Sequence, residues 1–332
     1  MTPASDAHPW SRRLGAAFAL ALVVAVLLVA KPAEVFELLR TSRPSGLLAA
    51  AAAAGAALIV RGLRLTLLLP PGRLRLPTAT LIASASQAAA WFVPARLGEL
   101  ALPLLLQRTV GWTPSAGIGT LLAARTMDLA SLGLWAGIAT VVILGPTHPL
   151  ALAALVILVF PPLLLPSSLA VVDRMAVRLL APRGLRPRRW ARRIRRVRRS
   201  VDALTERPMR LLGSVVASVV IWAFLWALAW YLLDAMGHRW PPWHVVAGSA
   251  VASLANLLPF NIIGNFGTLE AGWTAAFVAL GIPVDVAAAT GLAAHLWAVV
   301  FTAVYGALAW GLLSLRSGSR PPRREPMDAR EN

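Results

Sequence analysis

Six apolar stretches, residues 14–30, 46–60, 115–144, 149–169, 211–233 and 286–313, contain only two charged side chains between them, Arg125 and Asp128. Each is close to the ~20 residues that a helix needs to cross ~30 Å of hydrocarbon. A chain written this way has to satisfy its backbone inside lipid, which leaves helices as the spanning element. The sequence therefore predicts an all-α integral membrane protein with about six spanning helices. The first stretch outlasts the ~7 to 15 apolar residues of a signal peptide and is followed by VAKPAE, a poor cleavage site, so it reads as an anchor. The whole composition agrees: 58% of the 332 residues are hydrophobic, mean hydropathy is +0.69 and 14% are charged. Cysteine is absent, which excludes disulfides, zinc-thiolate sites and cysteine nucleophiles.

The formal net charge of +18 is concentrated. Thirteen arginines lie between Arg174 and Arg207, whereas the loops at 145–149 and 235–244 contain one, Arg239. Basic loops stay on the cytoplasmic side, so the run orients the chain and places both termini in the cytoplasm. Lys31, Arg40 and Arg43 run against this pattern. Tethered between two spans, the Arg174–Arg207 loop faces anionic lipid head groups, which favour each basic residue by ~1 kcal/mol, rather than nucleic acid.

Two segments interrupt the apolar pattern. SASQAAAWFVPARLGELALPLLLQR (84–108) and LPFNIIGNFGTLEAGW (258–273) each place a proline, glycines and a glutamate within an apolar setting. Ser84 to Pro94 spans ten residues, as does Ser249 to Pro259; Gly111 to Arg125 spans fourteen, as does Gly281 to His295. A two-copy repeat follows, with the first copy at about 45–145, the basic loop at 172–207, the second copy at about 209–315 and a disordered basic tail at 316–332, all in one polytopic domain. Proline and glycine at the breaks predict two re-entrant hairpins rather than straight helices. Counted through the spans, the hairpins enter from opposite sides, an inverted repeat of the kind used for alternating access, with the breaks facing a protein-lined cavity.

Charges in apolar helices cost about 2.5 to 3.5 kcal/mol each at the helix centre and mark candidate sites. The candidate substrate-binding residues are Arg96, Gly98, Glu99, Arg125, Asp128, Asn261, Gly264, Gly267, Glu270 and His295. Arg96 with Glu99, and Arg125 with Asp128, are spaced three apart and expected to reach one another; Glu270 is expected to pair across the repeat with Arg96 or Arg125, or to be protonated. Gln87, Asn256, Asn261 and Asn265 read as partners for unwound carbonyls, and the tryptophans as an interfacial belt. No HExxH, GxSxG, GxxxxGK[ST] or His-x4-Asp spacing occurs. The expectation is no enzymatic activity, no metal and no cofactor.

At PARLGE with the following LLL (94–106), GWT leading to AARTMD (111–128), and LLP with G-x-x-G-x-x-E (257–270), the chain resembles the transmembrane, flippase-type domain of lysylphosphatidylglycerol synthases and its free-standing relatives, over about 45–315. The resemblance implies a multi-pass bacterial inner-membrane protein that translocates a lipid. It departs from the family at Ala101 and Leu102, where a basic residue is frequent, and at Ile262 and Ile263, where the break is often richer in glycine. The soluble aminoacyl-transferring domain has no counterpart here, so aminoacylation is not carried over. The competing expectation is a non-transporting accessory or scaffold protein that recruits a cytoplasmic biosynthetic enzyme through the arginine run. The oriented topology predicts that, with no native thiol to interfere, Ser200→Cys is labelled by an impermeant maleimide only after the membrane is opened, and Thr147→Cys in intact cells. The reverse pattern overturns the orientation.

Overall fold

The computed structural model describes residues 28–149, 207–256 and 266–317; for residues 94–96 only the backbone is described. The stretch at 14–27, most of 149–169, the arginine run up to residue 206 and the tail from 318 lie outside the described residues, as do Asn261, Gly264, Asn265 and the Arg96 side chain. All regular structure among the described residues is helical: α1 (Pro32–Thr41), α2 (Pro44–Leu68), α3 (Leu76–Phe92), a 3-10 segment (Pro94–Leu100), α4 (Ala101–Val110), α5 (Pro114–Leu144), α6 (Pro208–Ala235), α7 (Pro242–Ala255), α8 (Thr268–Ala279) and α9 (Val284–Ser317). Proline occupies the first position of α1, α2, α5, α6 and α7, where its missing N–H would be unpaired anyway and its fixed φ suits the helix.

Four of these helices, α2, α5, α6 and α9, are long and apolar enough to cross a membrane, with mean hydropathies of 1.8, 1.8, 2.3 and 1.8. Their 25 to 34 residues correspond to roughly 37–51 Å at 1.5 Å per residue. The protein is an all-helical membrane protein. α2 and α6 run antiparallel through an alanine- and glycine-lined seam: Gly46 lies against Ala235, where an added Cβ would sit 2.7 Å from the alanine Cβ, and Arg210 near the other end donates to the Leu67 carbonyl at 3.1 Å. Small residues let the backbones approach, which is how helices gain packing energy in lipid without a hydrophobic driving force.

The two interrupted segments fold as antiparallel helix pairs. With 17 and 10 residues, α3 and α4 reach roughly 26 and 15 Å, and neither covers ~30 Å of hydrocarbon. α3 stops because Pro94 pushes Val93 to extended dihedrals (φ −94°, ψ 121°). The following 3-10 segment then folds back so closely that a Cβ on Gly98 would lie 1.8 Å from the Ala89 carbonyl oxygen. α7 and α8, 14 and 12 residues long, pair the same way. Gly272 meets Ala252 and Ala255, while Gly248 meets the Phe277 ring. The turns after the hairpins also correspond. Gly111 and Gly281, equivalent in the sequence repeat, have φ of +68° and +88°, a region open to glycine without steric cost.

Each hairpin packs on long helices of its own half and on one of the other half. α3 packs antiparallel on α9, with Gly306 against Ala88 and the Trp310 indole donating to the Ala85 carbonyl at 3.2 Å. α7 packs on α5, where Trp135 and Trp243 meet at 6.2 Å between ring centroids. The largest apolar cluster joins Val35, Leu232, Leu233, Phe277 and Ala287 at one end of the bundle. A second, with Leu65, Ile82, Leu106 and Leu313, fills the opposite end.

The dissenting basic residues belong to the first of these ends, and each has a carboxylate. Lys31 bridges Glu34 at 2.9 Å and Asp285 at 3.1 Å; Arg40 pairs with Glu37 at 3.0 Å; Arg43 and Arg239 share Asp234 at 3.3 and 3.1 Å. Hydrogen bonds from Lys31 to Glu34 and then Asp285 raise the lysine pKa, and the Arg40 hydrogen bond lowers that of Glu37. At the other end Arg73, Arg75, Arg108 and Arg210 have no carboxylate partner among the described residues. The apparent exceptions to the charge rule are thus a neutralised surface.

Gly98→Ala drives a methyl group into a main-chain carbonyl and is expected to destabilise the first hairpin by at least the ~1–3 kcal/mol of an overpacked core, read as a lower melting temperature in detergent. Gly311→Ala, with nothing within 4 Å of the new Cβ, is expected to be neutral or stabilising by up to ~1 kcal/mol.

Candidate functional site

Residues of both hairpins border one cavity of about 400 Å³. Its polar end is made by Arg61 from α2, Gln87 from α3, Glu99 from the 3-10 segment, and Arg125 and Asp128 from α5. The opposite end is aromatic and weakly polar, with Trp222 and Trp226 from α6, Ser249 and Asn256 from α7, and Trp273 from α8. His295 of α9 and Trp91 of α3 close the remaining side, with their rings in edge contact at 5.3 Å. A hydrophilic half facing a half of tryptophan and leucine is what an amphiphile requires.

The Arg125–Asp128 pair that spacing suggests is replaced by two others. Arg125 turns to Glu99, donating from Nη2 at 3.0 Å and from Nε at 3.2 Å, and so ties the tip of the first hairpin to α5. Asp128 is held by Arg64 instead of Arg125. Both η nitrogens of Arg64 donate to its two oxygens, and Nη1 also reaches Ser218 Oγ at 2.9 Å. Ser218 lies ten residues along α6 from Pro208, or roughly 15 Å into that helix. A planar fork on a carboxylate is the strong geometry for such a pair, and in an apolar setting neither member is stable alone.

Glu270 is 1% exposed and His295 is 3% exposed. One Glu270 oxygen accepts the Gly267 N–H at 2.8 Å, capping the start of α8 at a glycine whose φ is +113°. The other is hydrogen-bonded to Nδ1 of His295. The described partners of Glu270 thus lie within its own half of the chain, and Arg125, one of the two arginines expected to reach it, pairs with Glu99. Phe266 lies against the same imidazole at 4.5 Å.

Of the candidate residues, Glu99, Arg125, Asp128 and His295 meet at the cavity, with Glu270 directly behind His295. Gly98 and Gly267 shape the breaks rather than face the space. Arg61 and Arg64, absent from the candidates, and the cavity tryptophans, read from sequence as an interfacial belt, are site residues. A signal for them existed: Arg61 and Arg64 share one face of an otherwise apolar helix, and Trp222 and Trp226 repeat at helical spacing in mid-span. Gln87 and Asn256 likewise line the cavity.

Removing one member of the buried pair should cost far more than removing one of the open pair. Arg64→Ala is expected to lose about 3–5 kcal/mol, because Asp128 is left buried and unpaired, and Arg64→Met with Asp128→Leu should recover much of it. Glu99→Ala leaves Arg125, whose side chain is 44% exposed, and should cost under about 1 kcal/mol. Thermal melts of the three variants in detergent check the order.

No curated protein matches the chain. A family model described as the lysylphosphatidylglycerol synthase TM region matches residues 15–306, a length that takes in both hairpins, α2, α5, α6, most of α9 and every residue of the cavity. The chain belongs to the lysylphosphatidylglycerol synthase transmembrane-region family.

Proposed function

We propose that this protein translocates an amphiphilic lipid between the leaflets of the bacterial inner membrane, carrying the head group through the cavity while the hydrocarbon stays in apolar surroundings. The observation that carries this reading is the single cavity bordered by both interrupted helix pairs, charged at one end and aromatic at the other. Unwound backbone and buried charge are tolerated in a membrane only where protein or water satisfies them, and a cavity of this kind is where they do work on a polar ligand.

Alternating access supplies the motion. Its usual architecture is an inverted repeat whose halves rock about a central site. The antiparallel run of α2 against α6 and the packing of each hairpin on a long helix of the other half support that relation. The Glu99–Arg125 pair, linking a hairpin tip to a long helix, is the kind of contact that such rocking makes and breaks. Both termini are placed in the cytoplasm by the arginine run.

The test is a reconstituted assay in which dithionite quenches fluorescent lipid in the outer leaflet. Wild-type protein should expose inner-leaflet lipid faster than empty vesicles. Ser253→Trp, which fills the cavity from α7, should lower the rate about tenfold or more without altering the melt. Deleting residues 183–199 should leave transport largely intact. No translocation by folded wild-type protein, with pathway output lost on that deletion, would favour the scaffold reading instead.

A further inference from the structure

We infer that the cavity selects lipids whose head group bears a net anionic phosphate, and that Arg61, assisted by Gln87, is the phosphate anchor. This rests on the reading that the cavity houses a lipid head group. It adds the charge of that head group and the atoms that recognise it.

The first argument is a matching of charges. Around the cavity every carboxylate is engaged: Glu99 by Arg125, Asp128 by Arg64, and Glu270 by the Gly267 N–H and His295. Arg64 and Arg125 are thereby matched. Arg61 faces the cavity with no carboxylate in ion-pair range and no hydrogen-bond acceptor among the described residues. A cationic head group would have to displace an arginine from its carboxylate. An anionic one meets a guanidinium that lacks a counter-charge.

The second argument is position. Two smaller cavities, of about 80 and 70 Å³, adjoin the large one. Arg61 and Gln87 are the residues that border all three. One small cavity is lined by the charged pairs. The other is walled by Ala57, Leu58, Leu228 and Phe301. A group held at Arg61 therefore has polar walls on one side and hydrocarbon-like walls on another, the two environments that meet at the phosphate of a phospholipid.

Chemistry supplies the third. A guanidinium in an apolar helix without a counter-charge carries a desolvation cost that a bound anion offsets. Its planar fork fits two phosphate oxygens at once, and the Gln87 amide adds a neutral donor beside it. Lysine would supply the charge without the fork.

The tryptophans of the cavity provide the readout. Purified full-length protein in detergent is titrated with dioctanoylphosphatidylglycerol, dioctanoylglycerol and inorganic phosphate while tryptophan emission is followed. Saturable binding of the phosphatidylglycerol is expected, with the phosphate-free glyceride and inorganic phosphate at least about tenfold weaker. Arg61→Gln should weaken phosphatidylglycerol binding about tenfold or more, and Arg61→Lys by a smaller factor. Equal affinity for phosphatidylglycerol and dioctanoylglycerol in wild-type protein overturns the proposal whether or not the variants fold. So does unchanged affinity in Arg61→Gln with a normal melt. Inorganic phosphate binding as tightly as the lipid would make this a free-phosphate site and overturn the lipid assignment. Because binding is read without transport, Arg61-dependent binding with no translocation would sink the translocator reading and leave the anchor standing. Translocation with Arg61-independent binding would do the opposite.

Discussion

Nothing in a hydrocarbon environment can solvate a charge or a free peptide group, and that constraint organises this molecule. Four long helices satisfy their own backbones and can face lipid. The two interrupted segments cannot, so they fold as helix pairs, and the first brings its tip to the charges of α5. The cavity is the consequence: polar groups with no alternative partner are drawn to one place, and side chains too large or too charged to close over each other leave space between them.

Within that space the ion pairs have distinct roles set by their burial. Arg64 and Asp128, 8% and 12% exposed at their side chains, lock α2, α5 and α6 together and behave as part of the scaffold. Glu99 and Arg125 join a hairpin tip to a helix from a more open position, where breaking the pair costs little. Glu270 serves its own hairpin by capping α8 and fixing the His295 ring. Among the described side chains of the site these three pairs leave Arg61 over, and its charge falls where three cavities meet.

The two ends of the bundle differ in the same electrostatic terms. One is basic with no described carboxylate, as expected beside an anionic leaflet. At the other, lysine and arginine side chains are matched by Glu34, Glu37, Asp234 and Asp285, so they exert little orienting pull. The basic residues that ran against the sequence pattern are explained by neighbours that are distant in sequence, Asp285 for Lys31 and Asp234 for Arg43.

Membrane insertion, the break after α3 and the glycine turns at Gly111 and Gly281 could be read from the chain because they depend on local properties: runs of apolar residues, proline beside an extended residue, glycine at a positive φ. Several site residues were legible for the same reason, since a glutamate just past a break is conspicuous. Which charge neutralises which was not. Arg125 chose Glu99 over Asp128, three residues away, and Arg64 reached a carboxylate 64 positions further on; the spacing that puts two side chains on one helix face says nothing about a closer partner on another helix. Sequence alone determined that these charges had to be neutralised inside the protein. Only the packing of helices decided how, because the energy of an ion pair depends on distance and burial in space.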